Sequence, residues 1–148
     1  MIIIGYQGIG KSTLAGKNNC IDLESGNFWH NGVRPDNWYI FYCQIAEHLS
    51  NQGYNVFVSS HGVVRNRLKK YSQQQIYIVY PSVELKDEWV DKLKKRFESS
   101  KLEKDYKAWM NAEDRYVDNI KELKNSGINC VEIIDMNYSL EDIISNLV

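Results

Sequence analysis

Gly5, Gly10, Lys11 and Ser12 stand in the spacing GxxxxGKS within the opening run MIIIGYQGIGKSTLAG. Glycines at these places let the backbone turn tightly, so that successive N–H groups converge and form a nest for phosphate oxygens. A helix that starts at the end of the turn adds its positive N-terminal end. Lys11 has the reach for β- and γ-phosphates, and the Ser12 hydroxyl is a ligand for Mg²⁺. The chemistry implied is binding of a nucleoside triphosphate, taken as ATP with Mg²⁺. Gly5, Gln7, Gly8, Ile9, Gly10, Lys11, Ser12 and Thr13 form the candidate nucleotide-binding set, with Lys11 also a candidate catalytic residue. The alternative is an ordinary glycine turn with a solvated lysine. An apolar strand before the turn and helix-forming residues after it favour the phosphate nest.

Asp22 and Glu24 lie two apart at the end of a strand-like run, so both side chains can share one face. At the carboxyl edge of a parallel sheet that face borders the ligand crevice. Asp22 is then a candidate to hold Mg²⁺ through water. Glu24 is a candidate to bind an acceptor or to take a proton from an acceptor hydroxyl. The competing reading makes each a loop carboxylate that caps a turn. Ser59, Ser60 and His61 end another strand-like run, where a motor ATPase would carry a metal-binding aspartate. Ser60 and His61 are open to two readings, contact with an acceptor or water, or a polar strand end that starts a turn.

These residues need elements to position them. Apolar runs at Met1 to Ile4, Cys20 to Leu23, Tyr54 to Ser60, Gln75 to Ser82 and Ile128 to Ile134 read as five strands. Helix-like segments alternate with them, the pattern of an α/β fold with a parallel sheet and helices on both faces. One helix should begin near Lys11, and another after Pro35 and Asp36 with the stripe Trp38, Phe41, Tyr42, Ile45 and Leu49. Ser82 is placed to cap a helix carrying Leu85, Trp89, Leu93 and Phe97. A second long helix from about Leu102 to Lys124 carries Leu102, Tyr106, Trp109, Tyr116, Ile120 and Leu123, and ends before Gly127. Ser139 and Asp142 form a capping pattern for the last helix. The aromatic stripes read as core packing. Between the two long helices, FESSKLEKD breaks the pattern and reads as a hinge.

GYQGIGKST resembles the phosphate loop of small P-loop kinases, the group of nucleoside monophosphate, shikimate and gluconate kinases. IDLES resembles the acidic acceptor motif of that group, and VFVSSHGVVRNRL resembles the third-strand segment of gluconate kinases. VYPSVELKDEWVDKLKKR resembles the fourth strand and the start of the mobile lid helix. The resemblance implies a P-loop NTPase three-layer sandwich with sheet order 2-3-1-4-5. It implies one domain over residues 1–148, with an acceptor-binding segment at 26–53 and a lid at about 96–116. By resemblance, Arg34 and Arg65 would hold the acceptor, together with Glu24 and Ser60. Arg96 would close on the transferred phosphoryl group as a catalytic residue, and Met136 and Asn137 would border the adenine.

A net charge of −1 gives no bulk-charge reason to expect a nucleic acid polymer or an anionic membrane as partner. No apolar run approaches the length of a membrane span. Cys20, Cys43 and Cys130 form no CxxC pair and read as reduced, partly buried residues of a cytoplasmic protein. The expected partner is a small-molecule phosphate acceptor. A nucleoside or deoxynucleoside monophosphate is preferred, because arginines around the crevice suit phosphate. A hydroxyl compound such as a sugar acid is the second choice. A GTPase is disfavoured because nothing like the guanine-reading NKxD follows the fourth strand. A module that binds nucleotide without turning it over stays open.

Overall fold

The computed structural model describes all residues, 1–148. Five strands form one parallel sheet: β1 (Ile2–Gly5), β2 (Cys20–Asp22), β3 (Asn55–Val58), β4 (Ile76–Pro81) and β5 (Asn129–Ile133), in the order β2-β3-β1-β4-β5. The central strand is apolar without alternation, and Ile2, Ile3 and Ile4 are fully buried. That pattern belongs to a strand covered on both faces. Ile4 pairs with Val58 on one side and with Ile78 on the other. The phosphate-loop candidate therefore leaves the middle of the sheet at its carboxyl edge. β5 is an open edge, and Cys130 on it is exposed, against the expectation of a partly buried thiol. No helix is long and apolar enough to cross a membrane.

The helices are α1 (Lys11–Leu14), α2 (Trp38–Asn51), α3 (Gly62–Tyr71), α4 (Lys86–Ser100), α5 (Glu103–Lys124) and α6 (Leu140–Leu147). α1 begins where expected but is a single turn, ended by a turn that leads directly into β2. α2 is rotated from the expected stripe. Trp38, Tyr42, Cys43, Ala46 and Ser50 are buried, while Phe41 and Ile45 are 56% and 41% exposed. Cys43 on the buried face meets α3, its thiol 3.9 Å from the Val64 carbonyl. Ser82 does not cap α4; its side chain makes no capping bond, and a 3₁₀ turn at Val83–Leu85 precedes the helix. At the last helix the expected cap is present, with the Ser139 hydroxyl accepting from the Asp142 N–H.

α4 and α5 form an antiparallel hairpin. FESSKLEKD forms a tight turn between the two helices: Lys101 takes a left-handed conformation, the Ser100 hydroxyl donates to Asp105, and it accepts from the Leu102 N–H. Phe97, Tyr106 and Trp109 pack ring on ring across the hairpin, 5.3 to 6.0 Å apart. Leu102 and Tyr106 lie at the tip and are about half exposed, so the expected stripe of α5 begins later than its first residues. The break in regular geometry falls instead at Arg115, with φ −133° and ψ 16°. Beyond it Tyr116 is pinned: its hydroxyl donates to the Ser82 carbonyl at 2.7 Å, and its ring meets Tyr6 edge-on.

Candidate functional site

The loop after β1 is a nest of unused donors. The N–H groups of Gln7, Gly8, Gly10, Lys11 and Ser12 donate to no backbone carbonyl, whereas that of Ile9 returns to Tyr6. Buried or ligand-facing amides normally find a partner. The turn requires glycine at two places: Gly8 has φ +86° and Gly10 has φ +106°, where a side chain is strained. Since α1 is one turn, little macrodipole accumulates behind the nest. The loop amides and Lys11 carry the positive field instead. Lys11 Nζ sits 3.5 Å from the Gly5 carbonyl, a weak contact that leaves the ammonium free to turn toward a ligand.

A cavity of about 470 Å³ opens in front of this loop. Gln7, Gly8, Gly10, Lys11, Ser12 and Thr13 form one wall, and Asp22, Glu24 and Ser25 another. The cavity thus gathers the loop and the acidic pair that the sequence placed together. Burial pushes the Asp22 carboxyl up, Lys11 opposes this, and Glu24 adds to it. Burial likewise pushes the Lys11 ammonium down, opposed by Asp22 and Glu24. Ser12 and Asp22 are hard oxygen donors on one cavity, a set that suits Mg²⁺. No cluster of three His, Cys, Asp or Glu side chains forms a metal cage, so phosphate oxygens and water would have to complete the shell.

The third wall comes from the hairpin: Lys92, Leu93 and Arg96 of α4, and Lys104, Asp105 and Ala108 of α5. Arg96 is present as expected. Its Nε lies 3.0 Å from the Asp105 carboxylate, which is itself 4% exposed and held by Ser100. Asp105 was not singled out from sequence, and it is the anchor that aims Arg96. Lys92 and Lys104 add two cations to this wall, while Lys94 and Lys95 stay exposed. The Gln7 side chain ties the loop to the hairpin: its amide donates to the Ala108 carbonyl at 3.0 Å and to Asn111.

The acceptor-side residues divide. Tyr42 donates to the Leu23 carbonyl and accepts from the Ser59 N–H, clamping the ends of β2 and β3 together beside the cavity. Arg34 does not line the cavity. Its guanidinium lies between two indoles, 3.9 Å from the Trp38 centroid and 4.8 Å from that of Trp29. His61 meets Trp38 edge-on and shares a hydrogen bond with Ser59. Burial and the positive charges of Arg34 and Lys11 hold it below the ordinary imidazole range. Ser60 lies outside the cavity and gives its carbonyl to Arg65 Nε.

Arg65 is 7% exposed and ion-paired to Glu122 across 57 residues of chain. It ties α3 to α5 and is absent from the cavity wall, against its expected acceptor role. Arg65→Ala should cost about 1–3 kcal/mol of stability, because its partners lose a charged donor. Urea unfolding and acceptor KM check this together. A raised KM with unchanged stability would return Arg65 to the acceptor.

A second cavity of about 340 Å³ adjoins the first and shares Gly10, Thr13 and Lys92 with it. Ile9, Leu14, Met136, Tyr138 and Leu140 make it half apolar. Met136 is therefore on a cavity wall next to the loop after β1. Asn137 is not. It is exposed, and its N–H is taken by the Asp135 carboxylate. A scan against protein-family models and a search of the curated proteins each returned no match.

Proposed function

We propose that this chain is a small P-loop kinase of three-layer architecture that transfers the γ-phosphoryl group of ATP to a small acceptor. The observation that carries the reading is one cavity walled by the unpaired loop amides with Lys11, by Asp22 and Glu24, and by Arg96. In the proposed reaction the amides and Lys11 hold the triphosphate, and the apolar second cavity takes the nucleoside. Ser12 and Asp22 hold the Mg²⁺. Bound there, the metal would neutralise charge on the β- and γ-phosphates. Arg96, oriented by Asp105, meets the charge that grows on the transferred group. The hairpin excludes water from that group.

A nucleoside or deoxynucleoside monophosphate is the first acceptor to test. A hydroxyl-bearing acceptor is the second reading, and a specific observation favours it. Of Arg34, Arg65 and Arg96, only Arg96 lines the cavity, while Asp22, Glu24 and Ser25 form the opposite wall. An acidic wall suits a hydroxyl whose proton passes to Glu24. ATP consumption with a panel of both acceptor types tests the proposal. Turnover should require an acceptor and Mg²⁺, and should vanish with chelator. ATP binding without turnover on any acceptor would leave a nucleotide-binding module. Glu24→Gln separates the two acceptors: it should lower turnover by about 10²-fold or more for a hydroxyl acceptor and only a few-fold for a phosphate.

A further inference from the structure

Two side-chain donors, one fully buried and one partly buried, act on the outer side of the phosphate-loop candidate. Trp89 of α4 is fully buried, and its Nε1–H donates to the Gln7 carbonyl at 2.9 Å. Tyr138, between β5 and α6, donates its hydroxyl hydrogen to the Ile9 carbonyl at 2.8 Å. The two rings stack, 5.9 Å apart and 24° from parallel. Lys92 Nζ lies 4.4 Å from the Trp89 centroid and donates to the Tyr138 hydroxyl at 3.0 Å. A Cβ on Gly8 would stand 3.2 Å from Trp89 Nε1, so the loop rests directly on this pair.

The geometry has a direct effect on the nest. A peptide unit is planar and here trans throughout, so its C=O and the next residue's N–H point in opposite directions. Drawing the Gln7 carbonyl outward turns the Gly8 N–H inward. Drawing the Ile9 carbonyl outward turns the Gly10 N–H inward. Both glycines line the cavity, and both amides lack a carbonyl partner. Gly8 and Gly10 both sit at positive φ, where glycine is the freest residue, so each needs an external constraint to hold one orientation.

We propose that Trp89 and Tyr138 are positioning residues that set the two anion-facing amides of Gly8 and Gly10, one donor for each peptide plane. This rests on the reading of the loop as a triphosphate site. One donor belongs to the hairpin and the other to the segment beside the base-binding cavity. The orientation of the nest thus depends on both sides of the nucleotide site.

The test uses the full chain, inorganic tripolyphosphate as the probe, calorimetric titration, and ¹⁵N-resolved amide spectra. Tyr138→Phe removes one oxygen and keeps the ring. It should weaken tripolyphosphate binding roughly tenfold and move the Gly10 amide resonance far more than that of Gly8. Trp89→Phe should weaken binding similarly and move Gly8 more than Gly10. Trp89 is in the core, so if that variant fails to fold, Tyr138→Phe alone decides. A purely structural role predicts lower thermal stability with unchanged affinity and an unmoved Gly10 amide, and that result overturns the inference. A wild-type chain that binds no tripolyphosphate overturns the functional reading and the inference together. Wild-type binding with undiminished affinity in Tyr138→Phe overturns the inference alone.

Discussion

Lys11→Met should lower kcat/KM for ATP by about 10³-fold or more while leaving the fold as stable as before, or more so. Methionine keeps the stem that packs near Gly5 and deletes only the ammonium. That ammonium has one weak contact, at 3.5 Å, and burial pushes its pKa down. A group whose pKa is lowered by folding binds its proton more tightly in the unfolded chain. Between the lowered and the ordinary lysine pKa, stability therefore rises with pH as the buried charge is lost. Removing the charge relieves the same cost at neutral pH. Turnover equal to wild type, or a marked drop in the urea midpoint, would contradict this assignment.

Arg96→Ala should lower kcat by about 10²–10³-fold with a smaller change in KM for ATP. The arginine would then act mainly on charge that develops in the transition state. Asp105→Asn keeps the shape of the anchor and removes its charge. It should cost roughly tenfold in kcat, and almost nothing further in the Arg96→Ala background, because the two residues act as one unit. The coupling is readable because Arg96 pairs with Asp105 through Nε. Additive losses in the double variant would place Asp105 in a separate role, and full turnover in Arg96→Ala would remove the arginine from the reaction.

The five strands and the loop were readable in advance because each rests on local signals, whereas the strand order came only from the resemblance to small P-loop kinases. An unbroken isoleucine run marks a strand covered on both faces, and the glycine spacing marks a turn. Asp22 and Glu24 reached the cavity for the same reason, since a parallel strand can end only at its carboxyl edge. What failed depended on distant partners. Arg65 looks like any basic residue on a helix after a strand, and its fate is decided by Glu122 on another helix. Asp105 stands in a stretch of mixed charge, and nothing nearby distinguishes a buried anchor from a surface carboxylate. On α2 two overlapping stripes were available. The apolar one includes Phe41 and Ile45, and the one that packs uses Cys43, Ala46 and Ser50. Packing against a distant neighbour, with Cys43 meeting Val64 of α3, decided between them, and local hydrophobicity does not register that.

A rotation at the Arg115 break would make the outer part of α5 a lever. Tyr116, fixed through Ser82, would be the fulcrum, with the arm running out to Glu103. At the usual rise per residue that arm is about 18 Å long. A turn of about 10° at the fulcrum sweeps the tip by about 3 Å, and Ala108, part-way along, by about 2 Å. The Ala108 carbonyl is held by Gln7 at 3.0 Å. Hydrogen bonds weaken steeply past their normal length, so a swing too small to open the tip fully already releases the grip at Gln7. Mechanical advantage thus runs from the short end near the loop to the long end at the tip, and a small displacement at Gln7 corresponds to a larger one where Lys104 and Asp105 meet the cavity.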